Sequence, residues 1–194
     1  MIRLEGNVVR LDPMRADHAD LFWEAACGAR EEIFRWYPWR FESREDFVAF
    51  VERGLAEQAR GLTIPFATVE RASGKVIGGT RYLNIDAANR RVEIGSSWLV
   101  PAWQRTPANT EAKYLMLRHA FEQLGCVRVE FKTDAMNQQS RNAIRRLGAK
   151  EEGILRQHIV CWDGRLRDTV YFSILDSEWP AVKAKLEARL TIRA

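Results

Sequence analysis

The sequence predicts an α+β domain built on a mixed central sheet with helices packed against it. Three observations lead there. Strand-like apolar runs outnumber the helical stretches. Some neighbouring runs are joined by tight turns and others by a helix, so hairpins and crossovers mix. The hydrophobic fraction is 46% over 194 residues, enough for a real core. No repeat, low-complexity tract or linker divides the chain, so residues 1–194 read as a single domain.

Val8 to Met14 is a first strand, and Arg15 to Arg30 a helix with Leu21, Phe22, Ala25 and Ala26 apolar. An aromatic cluster broken by proline follows, Ile33-Phe34-Arg35-Trp36-Tyr37-Pro38-Trp39. Ser43 caps a second helix that buries Phe47, Phe50, Val51, Leu55 and Ala59 and stops at Arg60-Gly61. Pro65 to Glu70 and Lys75 to Leu83 form a hairpin around Ala72-Ser73-Gly74. Val92 to Val100 is apolar and β-branched enough for a mostly buried strand, which Pro101 ends. Trp103 to Thr110 reads as a loop. A helix is expected from Glu111, with Glu111, Arg118 and Glu122 on a polar stripe and Ala112, Leu115, Met116, Ala120 and Leu124 inside. Gly125 ends it.

Val127 to Thr133 alternates as a half-buried strand does. Asn137 caps a short helix whose apolar side is Ala143, Ile144 and Leu147 and whose stop is Gly148. Ile154 to Cys161 and Leu166 to Leu175 make a hairpin around Trp162-Asp163-Gly164, and a last helix spans about Ser177 to Leu190. The predicted order is β-α-α-β-β-β-α-β-α-β-β-α.

Charge and composition narrow the function. The net charge is +4, with acids and bases interleaved. No basic stripe with interleaved aromatics argues for nucleic acid, although the charge does not repel a polyanion. No apolar run approaches the ~20 residues of a membrane span. The N-terminal MIRLEGNVVR lacks the apolar stretch of a signal peptide, so the expectation is a cytoplasmic protein. Cys27, Cys126 and Cys161 stand far apart and suit reduced, buried thiols; no cluster predicts a metal. Exposed strand edges and seven tryptophans permit a homodimer.

Three stretches carry a resemblance. EIGSSWLVPAWQR runs from the central strand into a turn, NQQSRNAIRRLGAKEEGILR forms the later helix and the strand beyond, and RWYPW sits early. In this order they resemble the GNAT superfamily of acyl-CoA-dependent N-acetyltransferases, RimJ/RimL-like branch, over nearly the whole chain. The resemblance implies a three-layer fold with a mostly antiparallel sheet. It also implies acetyl-CoA as co-substrate and an amine acceptor, either a protein N-terminus or a small molecule. The alternative function is a non-catalytic acyl-CoA-binding module on the same fold.

The resemblance also assigns roles. The family's pyrophosphate loop, Gln/Arg-x-x-Gly-x-Gly/Ala, falls on Gln104-Arg105-Thr106-Pro107-Ala108-Asn109. Gln104 matches and both glycines are changed. Pro107 removes one donor, Asn109 is expected to keep the left-handed turn, and Thr110 to offer its amide and hydroxyl at the helix start. Arg105 supplies charge that the loop loses. Ser97 and Leu99 match backbone contacts to the cofactor, the Leu99 N–H being the donor to the thioester oxygen. Asn137 matches a contact to the pantetheine arm, beside its plain reading as a cap. Ser140 matches a hydroxyl that protonates the departing thiolate.

Glu93 stands eleven residues before Gln104, the spacing of the general-base glutamate in the resembled family's histone-acetylating members; the resemblance implies that role, and desolvation on an inner strand would suit it. The competing reading is a strand carboxylate paired with Arg81, Arg90 or Arg91. His119 reads as core. His158 is placed on a late strand facing the cleft, and Tyr171 is an alternative acid. Trp36, Tyr37 and Trp39 either line the acceptor pocket or form a core or interface cluster. Arg141, Arg145 and Arg146 read as a solvated face, one of them able to reach the cofactor's 3′-phosphate.

Overall fold

The computed structural model describes residues 2–191. Eight strands form one sheet: β1 (Leu4–Glu5), β2 (Val9–Pro13), β3 (Ile64–Glu70), β4 (Val76–Asp86), β5 (Arg91–Leu99), β6 (Arg128–Asp134), β7 (Lys150–Val160) and β8 (Leu166–Leu175). Their spatial order is β1-β2-β3-β4-β5-β6-β8-β7. All neighbours pair antiparallel except β5 and β6, which run parallel. The helices are α1 (His18–Ala26), α2 (Arg30–Ile33), α3 (Arg44–Ala59), α4 (Pro107–Glu122), α5 (Gln138–Leu147) and α6 (Trp179–Thr191). The predicted order holds, with β1 and α2 added.

The two sheet faces are covered differently. One carries the main core: Val92 and Ile94 of β5, Val129 and Phe131 of β6, and Val170, Phe172 and Ile174 of β8 meet Leu115, Met116, Leu117 and Ala120 of α4, Ile144 and Leu147 of α5 and Leu186 of α6. The other carries a smaller core in which α1, α3 and the aromatic segment (Phe22, Phe34, Phe41, Phe47, Val51) close over Ala67, Val69 and Trp98. These helices cover β3 and β4 and leave the rest of that face polar.

Several expectations are corrected. The helix expected over Arg15–Arg30 is only His18–Ala26: the Arg15 N–H bonds to His18 Nδ1 (3.0 Å) in a turn before it starts, and residues 27–29 turn before α2 begins at Arg30. Helix α4 begins at Pro107, not Glu111. Thr106 is its N-cap, accepting the Ala108 N–H at 3.2 Å, and Pro107 fills the first helical position, where no donor is needed within the helix. Glu111 is therefore not on a solvated stripe. It is buried and accepts the backbone N–H groups of Asn7, Val8 and Val9 at 2.7–2.8 Å, tying the N-terminal strands to α4. Leu124, expected inside, is exposed beyond the end of the helix.

Candidate active site

The site starts at a fork in the sheet. Strands β5 and β6 pair only from Arg91 opposite Arg128 to Glu93 opposite Glu130. Beyond that β6 continues with β8 as far as Asp134, while β5 continues with β4 to Leu99. A bulge directs β5 away: three steps, Gly95 to Trp98, oppose two, Gly79 to Arg81, and Ser96 adopts φ 47°. It reverses which face later residues occupy, so Glu93 and Gly95 face the α1–α3 side whereas Ser97 faces α4. Past the bulge β4 and β5 approach very closely. A Cβ on Gly78 would lie 2.1 Å from the Trp98 carbonyl oxygen, so only glycine fits.

The backbone of Leu99 faces the gap. The Val100 N–H donates to the Ile77 carbonyl (2.9 Å), so by antiparallel alternation Leu99, opposite Gly78, turns its N–H and C=O away from β4. Its carbonyl takes the Gln104 side-chain amide at 3.2 Å, and the Gln104 oxygen takes Gln139 Nε2 of α5 at 3.1 Å. Gln104 thus links the ends of β5 and α5 across one lip of the gap. At the other lip stands the start of α4. With Pro107 first and the Ala108 N–H held by Thr106, the free N–H of that first turn is that of Asn109. The left-handed residue of this loop is Arg105 (φ 62°), not Asn109, which is helical. Thr110 is likewise inside the helix rather than at its start. At α5, Asn137 caps by accepting the Ser140 N–H at 3.0 Å, and Ser140 is half-buried in the first turn.

Lys113 was not foreseen. It lies under the bulge, 6% exposed, and its Nζ donates to Thr80 Oγ1 (3.1 Å) and to Ser97 Oγ. No carboxylate is within ion-pair distance among the described residues, and burial lowers its pKa to about 7. The only signal in the sequence was a lysine inside an apolar helix stretch, Glu111 to Leu117.

On the opposite face Glu93 sits at the fork, 1% exposed. Its Oε2 accepts Asn84 Nδ2 (2.8 Å) and pairs with Lys132 Nζ (3.1 Å), not with Arg81, Arg90 or Arg91. Its Oε1 has no partner and lies over Gly95, where a Cβ would be 2.8 Å from it. Arg81, which pairs across from Gly95, is buried against the Phe50 ring (4.3 Å) with Glu57 at 3.7 Å. Asp134 is buried and held by Arg165 (2.8 Å), with Arg167 at 3.9 Å.

Of the aromatic cluster, Tyr37 turns inward. Its hydroxyl is buried without a partner, burial raises its pKa, and the Arg81 and Arg167 guanidiniums both bear on it. Trp36 is half-buried, its carbonyl bonded by Arg167 Nη1 (3.4 Å), and Trp39 is exposed. His158 is exposed on β7, 5.9 Å from the Tyr171 ring, and Tyr171 pairs opposite Lys132 on the Glu93 face. His119 is core: burial lowers its pKa, and its ring lies 6.2 Å from that of Tyr82. Arg141 and Arg145 do not form a free face, because both engage Glu151.

The profile of the acetyltransferase (GNAT) domain matches residues 9–150. The chain belongs to this family. A crystal structure of a GCN5-related N-acetyltransferase from Brucella melitensis superposes with TM-score 0.90 at 38% identity, over 97% of this chain and 85% of that one. Among curated relatives, the Bacillus subtilis (strain 168) protein YdaF, named as a ribosomal N-acetyltransferase, is 33% identical over 110 residues. That match covers 57% of this chain and spans 59% of the relative. RimJ of Mycobacterium smegmatis, in complex with CoA-disulfide, shares the fold with TM-score 0.84 over 97% of this chain, at 22% identity. The likeness runs to the RimJ/RimL-like branch. Among the described residues no helix is long and apolar enough to cross a membrane, and no cluster of side chains could hold a metal ion.

Proposed function

We propose that the protein is an N-acetyltransferase that moves the acetyl group of acetyl-CoA to a primary amine by direct attack in a ternary complex. The observation that carries this reading is the fork itself. The strands part immediately after Glu93, leaving a buried carboxylate on one side of the gap and the Leu99 N–H aimed into it. The residues fit a cofactor with an anionic end and an extended polar arm. The Asn109 N–H at the start of α4, with Arg105 and the hydroxyl of Thr110, receives the pyrophosphate. Ala108 and Gln104 line its loop, and Ser97, Leu99 and Asn137 flank the arm. Pro107 takes one donor from this site and leaves the helix start intact. What favours the catalytic reading over a non-catalytic acyl-CoA-binding module is the buried Glu93 carboxylate with its unpartnered Oε1 at the fork.

The thioester supplies an activated acetyl group. Glu93, directly or through an ordered water, takes the proton of the incoming amine through its unpartnered Oε1. The Leu99 N–H steadies the charge that grows on the thioester oxygen, a contribution of about 3 kcal/mol for one preorganised donor. Ser140, at the lip closed by the Gln104–Gln139 link, protonates the departing thiolate, with Tyr171 as the second choice on the acceptor side. Trp36, Tyr37, Trp39 and His158 border the acceptor. A cytoplasmic location suits the three free thiols Cys27, Cys126 and Cys161.

Calorimetric titration with acetyl-CoA, free CoA and ATP tests the binding half. Micromolar acetyl-CoA affinity, well above that for ATP, is expected; equal or absent binding overturns the reading. Release of free thiol in the presence of an amine panel tests turnover. Tight binding without turnover favours the non-catalytic module.

A further inference from the structure

Resting on that reading, one feature of the acceptor side goes further. Of the buried side-chain polar atoms without partners, five lie on this face: Tyr37 Oη, Arg81 Nη2, Glu93 Oε1, Arg167 Nε and Thr169 Oγ1. Arg81, Glu93, Arg167 and Thr169 are each no more than 6% exposed. They come from four places in the chain, β4, β5, β8 and the segment before α3, and converge. The Tyr37 hydroxyl feels both guanidiniums, and the Glu93 carboxylate bears on Arg167. Leaving one buried polar group unpaired costs about 1–3 kcal/mol, so five in one place are expensive unless something else completes them.

The unpartnered guanidinium N–H groups say what that something is. Around the fork, Arg81, Lys132, Arg165 and Arg167 stand among Glu57, Glu93 and Asp134, and Asp163 also bears on Arg165. Asp134 is already committed to Arg165 at 2.8 Å and stands 3.9 Å from Arg167, and Glu57 is a loose 3.7 Å from Arg81. Burial works against the ionised form of both Arg81 and Arg167, and each keeps a nitrogen without a hydrogen-bond partner, Arg81 Nη2 and Arg167 Nε. No ion pair joins Glu93 to either arginine within 4.0 Å, and Gly95, itself the strand partner of Arg81, places no side chain beside the Glu93 carboxylate. Beside the carboxylate that would receive an amine stand two guanidiniums and a phenol that would receive an anion.

Size is limited from above. The Trp36–Trp39 segment is tied across this face by the Trp162 N–H to the Pro38 carbonyl (2.9 Å) and by Arg167 to the Trp36 carbonyl. A segment held at both points favours a compact acceptor over an extended peptide.

We propose that the acceptor is a small amine carrying its own carboxylate, an amino acid rather than a protein N-terminus. Its amine meets Glu93 Oε1, and its carboxylate lies between Arg81 and Arg167 with the Tyr37 and Thr169 hydroxyls completing its hydrogen bonds. The carboxylate takes the free guanidinium donors, and the acid and amine ends fix which amine is presented.

The test compares the twenty common L-amino acids, the same compounds as amides, and pentapeptides beginning with Met, Ser or Asp. Acetyl transfer and direct binding, read by tryptophan fluorescence without acetyl-CoA, are measured in parallel. At least one free amino acid is expected to bind and react with a KM ten-fold or more below that of its amide. Arg167→Gln and, separately, Arg81→Gln are expected to collapse that ratio, whereas a purely structural role would worsen acid and amide alike. Amides or peptides used as well as free acids would overturn the proposal and leave the acetyltransferase reading standing. Failure to bind acetyl-CoA would end that reading instead. The fluorescence arm would still decide this one, since no preference for any free amino acid overturns it.

Discussion

The two faces of the sheet are built on opposite principles. The α4 face is an apolar core whose few polar groups are mostly answered: Glu111 by three backbone N–H groups, the Tyr82 hydroxyl by the Met116 carbonyl at 2.6 Å, and Lys113 by two hydroxyls, with His119 Nε2 alone on α4 left without a partner. The α1–α3 face, near the fork, carries buried charge with atoms left over. A face that completes itself contributes stability and position. A face with several buried polar atoms unpaired is the natural candidate for a ligand, because folding alone does not repay them. The difference teaches where to look for chemistry: the carboxylate proposed as base belongs to the less complete face, and the groups proposed to aim the cofactor are supported from the other.

The largest effect tests the incomplete face. Glu93→Gln keeps the shape and an oxygen for the Asn84 amide but cannot take a proton. It should lower kcat by about 10²–10⁴-fold, the usual contribution of a positioned base, with acetyl-CoA affinity nearly unchanged. Turnover within a factor of three of the parent would remove Glu93 from the chemistry.

On the complete face the response should be in stability rather than rate. Glu111→Ala removes three charge-assisted hydrogen bonds from the N–H groups of Asn7, Val8 and Val9 and should cost about 3 kcal/mol in urea melts. A loss under about 0.5 kcal/mol would mean that β1 and β2 do not need this tie.

The smallest effect concerns Lys113, the exception on its face. Burial holds its pKa at about 7, below the value of an exposed lysine. Between those two values the unfolded chain binds a proton that the native chain does not, so this group makes stability rise with pH across that window and exerts its full penalty below about pH 7. Lys113→Met, with Thr80 and Ser97 left to bond each other at 2.8 Å, should remove about 2 kcal/mol of that slope between roughly pH 6 and 9. Its advantage in melting temperature should be greatest at the acid end. Parallel melting curves for parent and variant across that range would show that Lys113 is not desolvated in solution.

Much of the frame was legible in the chain because it is written locally. Alternation in Val127–Thr133, the cap at Asn137, and stops at Gly61, Gly125 and Gly148, all three with positive φ, depend on neighbours a few residues apart. The start of α4 was equally local and was missed: threonine followed by proline is an N-cap with its first residue, yet reading the stretch as a loop hid it. Misplacing that start also put Glu111 on a solvated stripe, because a helix face is assigned from where the helix begins and what packs on it.

Sequence by itself determined the order of elements, the family, and the candidacy of Glu93, Leu99, Asn137 and Ser140. It could do so because periodicity, caps and motif spacing are short-range properties of one chain segment. Only the tertiary structure decided that Glu93 pairs with Lys132, that Ser96 bulges and turns Ser97 toward Lys113, and that Arg81, Arg167 and Tyr37 meet on one face. Those relations join residues up to 130 positions apart, such as Tyr37 and Arg167. Whether a charge is paired or left wanting depends on which strands become neighbours and on how much water their packing excludes, and neither is encoded within any one stretch.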